Sequence, residues 1–146
     1  DKILVLSSRG LGKISYAKYT DITLEDGSTR HYDGYRFSKR GAKGVTTMNL
    51  TTKTGKLTAV RAINGDEDLL VMTSNGVVIR TPIAEIKIAS RNTQGVKIIN
   101  LDEHAKVVTV AILPHVDPSE IEEIEGEAVE EEAAPEEAPV NPNEVE

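Results

Sequence analysis

A chain of 146 residues with 38% hydrophobic, 3% aromatic and 28% charged residues has room for one ordinary domain and a tail, with a small core of Val, Ile and Leu. The absence of Cys excludes a disulfide scaffold, a thiolate zinc site and a cysteine nucleophile, and apolar runs of a few residues exclude a helical membrane span. The net charge of −7 averages two unlike regions: residues 117–146 carry 13 acids and no Lys or Arg, so 1–116 holds 11 acids against all 17 bases, a net of +6.

Taken in chain order, the body is written in strands. Residues 3–6 (Ile-Leu-Val-Leu) run into Ser8-Arg9-Gly10. Residues 20–24 and 28–32 flank Glu25-Asp26-Gly27, the pattern of a hairpin closed by an Asp-Gly turn. Further strands are expected at 57–63, 69–72, 77–80, 96–100 and 107–113, each bounded by Gly, Asn or Asp. Residues 82–88 have room for one or two helical turns, and no long amphipathic helix is present. A short helix is expected at 118–124, with Pro118 in its first turn. Beyond it, Glu, Ala, Val, Pro, Gly and Asn without an aromatic cannot bury enough surface to offset chain entropy, so the acidic tail reads as disordered. A flexible anionic tail beside a basic body is either a solubiliser or a tethered competitor for the polyanion that the body suits. The start on Asp1 and the lack of a signal peptide read as a piece excised from a longer chain, and the lack of Cys fits a reducing cytosol.

The body repeats. Lys2-Ile3-Leu4-Val5-Leu6-Ser7-Ser8-Arg9-Gly10 matches Asp68-Leu69-Leu70-Val71-Met72-Thr73-Ser74-Asn75-Gly76 at an offset of 66. Residues 40–50 match 91–101 at 51, and 56–60 match 106–110 at 50. The drop in offset places a 15-residue insertion in the first copy, where the hairpin lies. The boundaries that follow are 1–66 for a first blade, with its inserted hairpin near 20–34, 67–116 for a second, and 117–146 for the tail. An all-β period near 50 residues is that of propeller-like blades. Two blades cannot close a ring, so they are expected to be the last part of a larger one.

Chemistry-bearing residues are few. Lys39-Arg40-Gly41-Ala42-Lys43-Gly44 sets three cations among small residues, which let a backbone approach phosphates while Lys and Arg supply charge-assisted bonds. The second copy keeps Arg91 and Gly95 at equivalent places, with Lys97 just beyond. One such turn per blade would form a cationic stripe around a rim, suited to bent DNA. Arg61, Arg80 and Lys87 are secondary candidates. Gly65-Asp66-Glu67-Asp68 reads as a solvated turn and not as a metal site, and His31, His104 and His115 lack ligand spacing. No nucleophile–base pair can be named, so no catalytic residue is expected.

Four segments together, 38–45, 65–70, 74–80 and 91–96, resemble the C-terminal domain of bacterial DNA gyrase A. The resemblance implies the last two blades of a six-bladed β-pinwheel whose positively charged rim wraps double-stranded DNA through its phosphates. It implies a non-catalytic part of a type IIA topoisomerase that introduces negative supercoils. That parent enzyme works in the bacterial cytoplasm on the nucleoid, away from any membrane, as an A2B2 heterotetramer of gyrase A with gyrase B. ATP and Mg2+ are used through gyrase B, so this fragment needs no cofactor and no metal. Its partners within the same polypeptide are the remaining blades and the N-terminal part. The family's wrapping box reads Gln-Arg-Arg-Gly-Gly-Lys-Gly in the first blade; Ser38, Lys39 and Ala42 depart from it, so 38–44 is similar to a degenerate later copy. The family's active-site tyrosine lies in another domain, and Tyr16, Tyr19, Tyr32 and Tyr35 read as strand or rim aromatics. The rival readings are the related C-terminal domain of topoisomerase IV, a decatenating enzyme, and a propeller-like protein-interaction module.

Overall fold

The computed structural model describes residues 1–117; the helix expected at 118–124 and the acidic stretch after it lie outside the described residues. In chain order the strands are β1 (Lys2–Ser7), β2 (Leu11–Tyr16), β3 (Thr20–Thr23), β4 (Thr29–Tyr32), β5 (Leu57–Ile63), β6 (Glu67–Thr73), β7 (Val78–Pro82), β8 (Val96–Lys97) and β9 (Val107–Pro114). Three antiparallel sheets result, ordered β5-β1-β2-β8, β3-β4 and β9-β6-β7. The body is all-β, as expected, and the residues expected as helical turns at 82–88 form one short 3-10 turn, Ile83–Glu85. No helix among the described residues is long and apolar enough to cross a membrane.

The repeat is visible in the pairing. β1 stands between β5 and β2 as β6 stands between β9 and β7. Each central strand carries a register shift against its last partner, between Leu6 and Ser7 in one copy and between Met72 and Thr73 in the other, 66 residues apart. The two sheets differ at the outer edge. β2 receives β8, a strand from residues 67–116, so the first sheet is completed by the second copy. Among the described residues nothing pairs with the outer edge of β7.

Two expectations are adjusted. The strand expected at 96–100 ends at Lys97, because the N–H groups of Ile98 and Ile99 both turn to the carbonyl of Gly10, at 2.8 and 3.4 Å, and carry Ile99 into the core. β2 is absent from the strands read off the sequence. Both of its faces are buried, Ile14 on the main core and Leu11, Lys13 and Ser15 on the other side, so polar residues occupy buried positions and hide the alternation that marks a strand. The 66-residue offset, which lays β2 on β7, is the signal that reveals it.

The inserted hairpin forms as expected, with Thr23 opposite Thr29. The Asp26 carboxylate closes its turn by accepting from Ser28 N–H at 2.9 Å and Ser28 Oγ at 2.6 Å. The rings of Tyr16 and Tyr32 lie 5.2 Å apart, so the insertion leaves and rejoins the repeat at one point.

The main core lies between the two large sheets. Leu4, Leu6, Ile14, Ala59 and Ile63 of the first meet Leu69, Val71, Val107 and Val110 of the second, with Ile83 from the 3-10 turn and Ile86 and Ile99 from the loops. Each fully buried Leu or Ile contributes roughly 2 kcal/mol by leaving water. The opposite face of the first sheet, Val5 and Leu11, is closed by Met48. The sheets are therefore stacked blades: the face of Leu4 and Leu6 in the first copy meets the face of Leu69 and Val71 in the second, whose equivalents in the first are Ile3 and Val5.

Candidate nucleic-acid interface

Lys39, Arg40 and Lys43 are exposed on a tight turn in which Ala42 N–H reaches the carbonyl of Lys39 at 3.1 Å. Gly44 sits at φ +80°, a left-handed conformation that costs a side chain. A Cβ there would meet nothing within 4 Å, so the turn stands clear of the described residues. Its copy is the turn at 90–95, where Thr93 N–H reaches the carbonyl of Ser90 at 3.2 Å. This copy is docked on β2. Ile14 N–H bonds the Lys87 carbonyl at 3.1 Å, Ala89 N–H returns to the Ile14 carbonyl at 2.8 Å, and Ser15 Oγ donates to the Ala89 carbonyl at 3.0 Å. After the turn, Gly95 lies so close to β2 that a Cβ would sit 2.4 Å from the carbonyl oxygen of Gly12.

Arg91 is half-buried. Its Nη1 donates to the Thr46 carbonyl at 3.0 Å and its guanidinium carbon lies 5.6 Å above the ring of Tyr35, whose hydroxyl is hydrogen-bonded to Thr47. Its Nε is buried without a hydrogen-bond partner among the described residues. With Asn49 N–H on the Thr93 carbonyl at 3.1 Å, these contacts tie the flank of the first turn to the second. Tyr19, Asp33, Gly34, Arg36 and Val45 line the cleft around Arg91.

The other candidates scatter. Lys97 is exposed on β8, in a cleft with Arg9 and Lys53, two cations that belong to neither glycine-rich turn; Asp102 and Glu103 stand on the same cleft. Lys87 is exposed just before the docked turn. Arg61 is exposed on β5 with Nη1 on the carbonyl of Val60 at 2.9 Å. Arg80 is committed to a carboxylate: its Nε lies 2.7 Å from Asp68 Oδ2 and its Nη2 donates to the Pro114 carbonyl at 2.9 Å. His115 Nδ1 approaches the other Asp68 oxygen at 2.7 Å, and this bond, with that of Arg80, holds the Asp68 carboxyl below its ordinary value. Glu67 accepts from the N–H groups of Asn64 and Gly65, so two acids of the 65–68 turn serve local hydrogen bonds.

Sequence reasoning missed Lys13. It is fully buried on β2, and its Nζ donates to the carbonyls of Ser90 at 2.5 Å, Arg91 at 2.6 Å and Thr93 at 3.1 Å, and to Thr93 Oγ1 at 3.1 Å. Burial, and secondarily the charge of Arg91, lower its pKa to about 8.

Stacked antiparallel blades, the first of which takes its edge strand from the second, with equivalent turns at 39–44 and 90–95, define a propeller-type repeat protein. The family described as "DNA gyrase C-terminal domain, beta-propeller" matches residues 33–64 and 67–114. The DNA gyrase A protein of Ureaplasma parvum is 40% identical over 110 residues, covering 75% of this chain and 11% of that protein; that of Staphylococcus aureus is 34% identical over 111 residues, covering 76% and 11%. A solved DNA gyrase A C-terminal domain superposes with a TM-score of 0.50 at 18% identity, covering 77% of this chain and 50% of that one. The E. coli ParC C-terminal domain does so with 0.51 at 20% identity, covering 84% and 51%, which is a likeness of fold alone. The chain belongs to the DNA gyrase C-terminal domain family. It spans about a tenth of the length of the gyrase A proteins it matches and half of the solved domain.

Proposed function

We propose that this chain is a non-catalytic, DNA-wrapping part of a gyrase A protein, and that it holds duplex DNA by its phosphates. The observation that supports this most directly is the turn at 39–44, where Lys39, Arg40 and Lys43 lie wholly on the surface of a body that carries +6, with Arg91 kept at the place equivalent to Arg40. Side chains of this kind on turns position a backbone and leave base edges unread, so sequence preference is low and enters through DNA deformability. The identity to gyrase A proteins favours this over the topoisomerase IV reading.

The parent would be the ATP-dependent supercoiling enzyme, cytoplasmic and nucleoid-associated, assembled with gyrase B as A2B2. ATP and Mg2+ would be handled in gyrase B. The remaining blades of the same polypeptide are the nearest partners, and both open ends of the pair support them. Phe37 is fully exposed, yet its repeat equivalent, 51 residues on, is Ile88, which bridges to Ile14 and packs against the shared core. At the other end, Val78 is 56% exposed on the edge of β7 that has no partner among the described residues. Each is the half of an exchange whose other half another blade would supply.

Fluorescence anisotropy of a labelled duplex, titrated with the full chain across salt concentrations, tests the DNA reading. Neutralising ~3–6 phosphates gives a slope of log affinity on log salt of about −3 to −5. Joint replacement of Lys39, Arg40 and Lys43 by Ala should weaken all sequences about equally. A slope near zero, or no binding together with salt-resistant capture of a protein partner, would move the protein-interaction reading ahead.

A further inference from the structure

Lys13 gathers three carbonyls of one short turn, and that has a consequence for the groups on the other side of the same peptides. In a planar trans peptide the C=O of one residue and the N–H of the next point in opposite directions. The carbonyls of Ser90, Arg91 and Thr93 point to the ammonium, so the N–H groups of Arg91, Asn92 and Gln94 point away from it. None of the three donates to any group among the described residues, whereas Thr93 N–H is used within the turn. Asn92 is exposed and Gln94 half-exposed. The buried Nε of Arg91 adds a fourth unused donor on the same turn. The adjacent N–H groups of Arg91 and Asn92, with that of Gln94 two residues on, make a fixed concentration of positive partial charge on the side away from Lys13, the kind of backbone cradle that takes a phosphate oxygen.

We propose that the turn at 90–95 is a backbone phosphate-binding site formed by the N–H groups of Arg91, Asn92 and Gln94, with Lys13 as its positioning residue. The ligand class is the phosphodiester of a duplex, so the proposal rests on the DNA reading above and adds which atoms hold it. The ammonium acts as a built-in cation. It draws the carbonyls inward, has no salt-bridge partner among the described residues, and faces one other charged group, Arg91. Thr93 Oγ1 tightens the arrangement by accepting from Lys13 and donating to the Ser90 carbonyl at 2.9 Å. The device is specific to this junction, because the residue equivalent to Lys13 in the second copy, 66 positions on, is Ile79.

The test is amide NMR of the full chain, titrated separately with a short duplex and with inorganic phosphate, for the wild type, Lys13→Met and Thr93→Val. The expected result is that the duplex shifts the amides of Arg91, Asn92 and Gln94, and that both variants lose this response while the amides of 39–44 keep theirs. Duplex affinity should fall roughly tenfold in Lys13→Met, the loss expected of a charge-assisted contact. Wild-type affinity should also fall as pH rises past about 8, since a neutral amine keeps two protons and releases one carbonyl. That step should be absent in Lys13→Met. Should Lys13→Met fail to fold, Thr93→Val, at an exposed residue, carries the comparison.

Response at 39–44 with silence at 91, 92 and 94 overturns the site and leaves DNA binding standing. Response of the three amides to inorganic phosphate but not to duplex keeps the anion site and overturns the DNA reading. Silence toward both ligands overturns both, and a wild-type response in the variants overturns the role of Lys13.

Discussion

The equivalent turns at 39–44 and 90–95 share a closing hydrogen bond and a left-handed glycine, Gly44 and Gly95, and have opposite surroundings. At 90–95 the chain lies on β2, pinned by Lys13, Ser15 and the close approach of Gly95 to Gly12. At 39–44 a Cβ added to Gly41 or Gly44 would meet open space. The blades that carry the turns differ in the same sense. Leu4 and Leu6 are sealed by the second blade, whereas their equivalents Leu70 and Met72 are only half-buried. The lesson is that the blade in this protein is a unit of sequence but not of burial. Each repeat buries one face against the other, and the first completes its outer edge only with a strand of the second.

The largest expected effect that sharpens this contrast is in the core. Leu6→Ala should cost about 4 kcal/mol, as a sealed site does, and Met72→Ala about 1 kcal/mol, both measured by urea unfolding. Equal costs would mean that the second blade's outer face is covered in solution. Next comes the pair of glycines, both in the left-handed region. Gly95→Ala should cost roughly 3 kcal/mol, from backbone strain plus collision with Gly12, and Gly44→Ala roughly 1 kcal/mol, from strain alone. A Gly44→Ala cost as large as that at Gly95 would show that the first turn is docked too.

The last effect is the pH dependence of the pin. Unfolded, Lys13 keeps its proton up to its ordinary value of 10.5; folded, it keeps it only to about 8. Between those values the unfolded chain binds more protons, so stability rises with pH across that window. Relative to Lys13→Met, the wild type should gain on the order of 2 kcal/mol there, read from unfolding curves at several pH values. A fall in place of a rise would mean that the carbonyl contacts outweigh desolvation, and that the folded ammonium is favoured.

Much of the fold is legible in the amino-acid order. The offsets of 66, 51 and 50 fix the equivalence of strands and the place of the inserted hairpin, because in-register repeats keep apolar residues at matching strand positions. The Asp-Gly signal locates the hairpin turn, since Gly27 at φ +80° is the residue type that tolerates it. Composition sets the basic body against the acidic tail. The cations of 39–44 are legible as a surface turn, because closely spaced charges among glycines have nowhere to go but water.

What only the tertiary structure decided is which groups meet across long separations. Lys13 is 77 to 80 residues from the atoms it binds, and a lysine inside a strand carries no local mark of a buried partner. Arg40 and Arg80 are both candidates for phosphate contact on the sequence; packing gave Arg80 to Asp68 and left Arg40 at the surface. Strand exchange is likewise invisible in a period, since a repeat states that two segments are equivalent and not which sheet each completes. Local propensity acts over a few residues. The choice between a pinned turn and a free one is made by the blade beneath it.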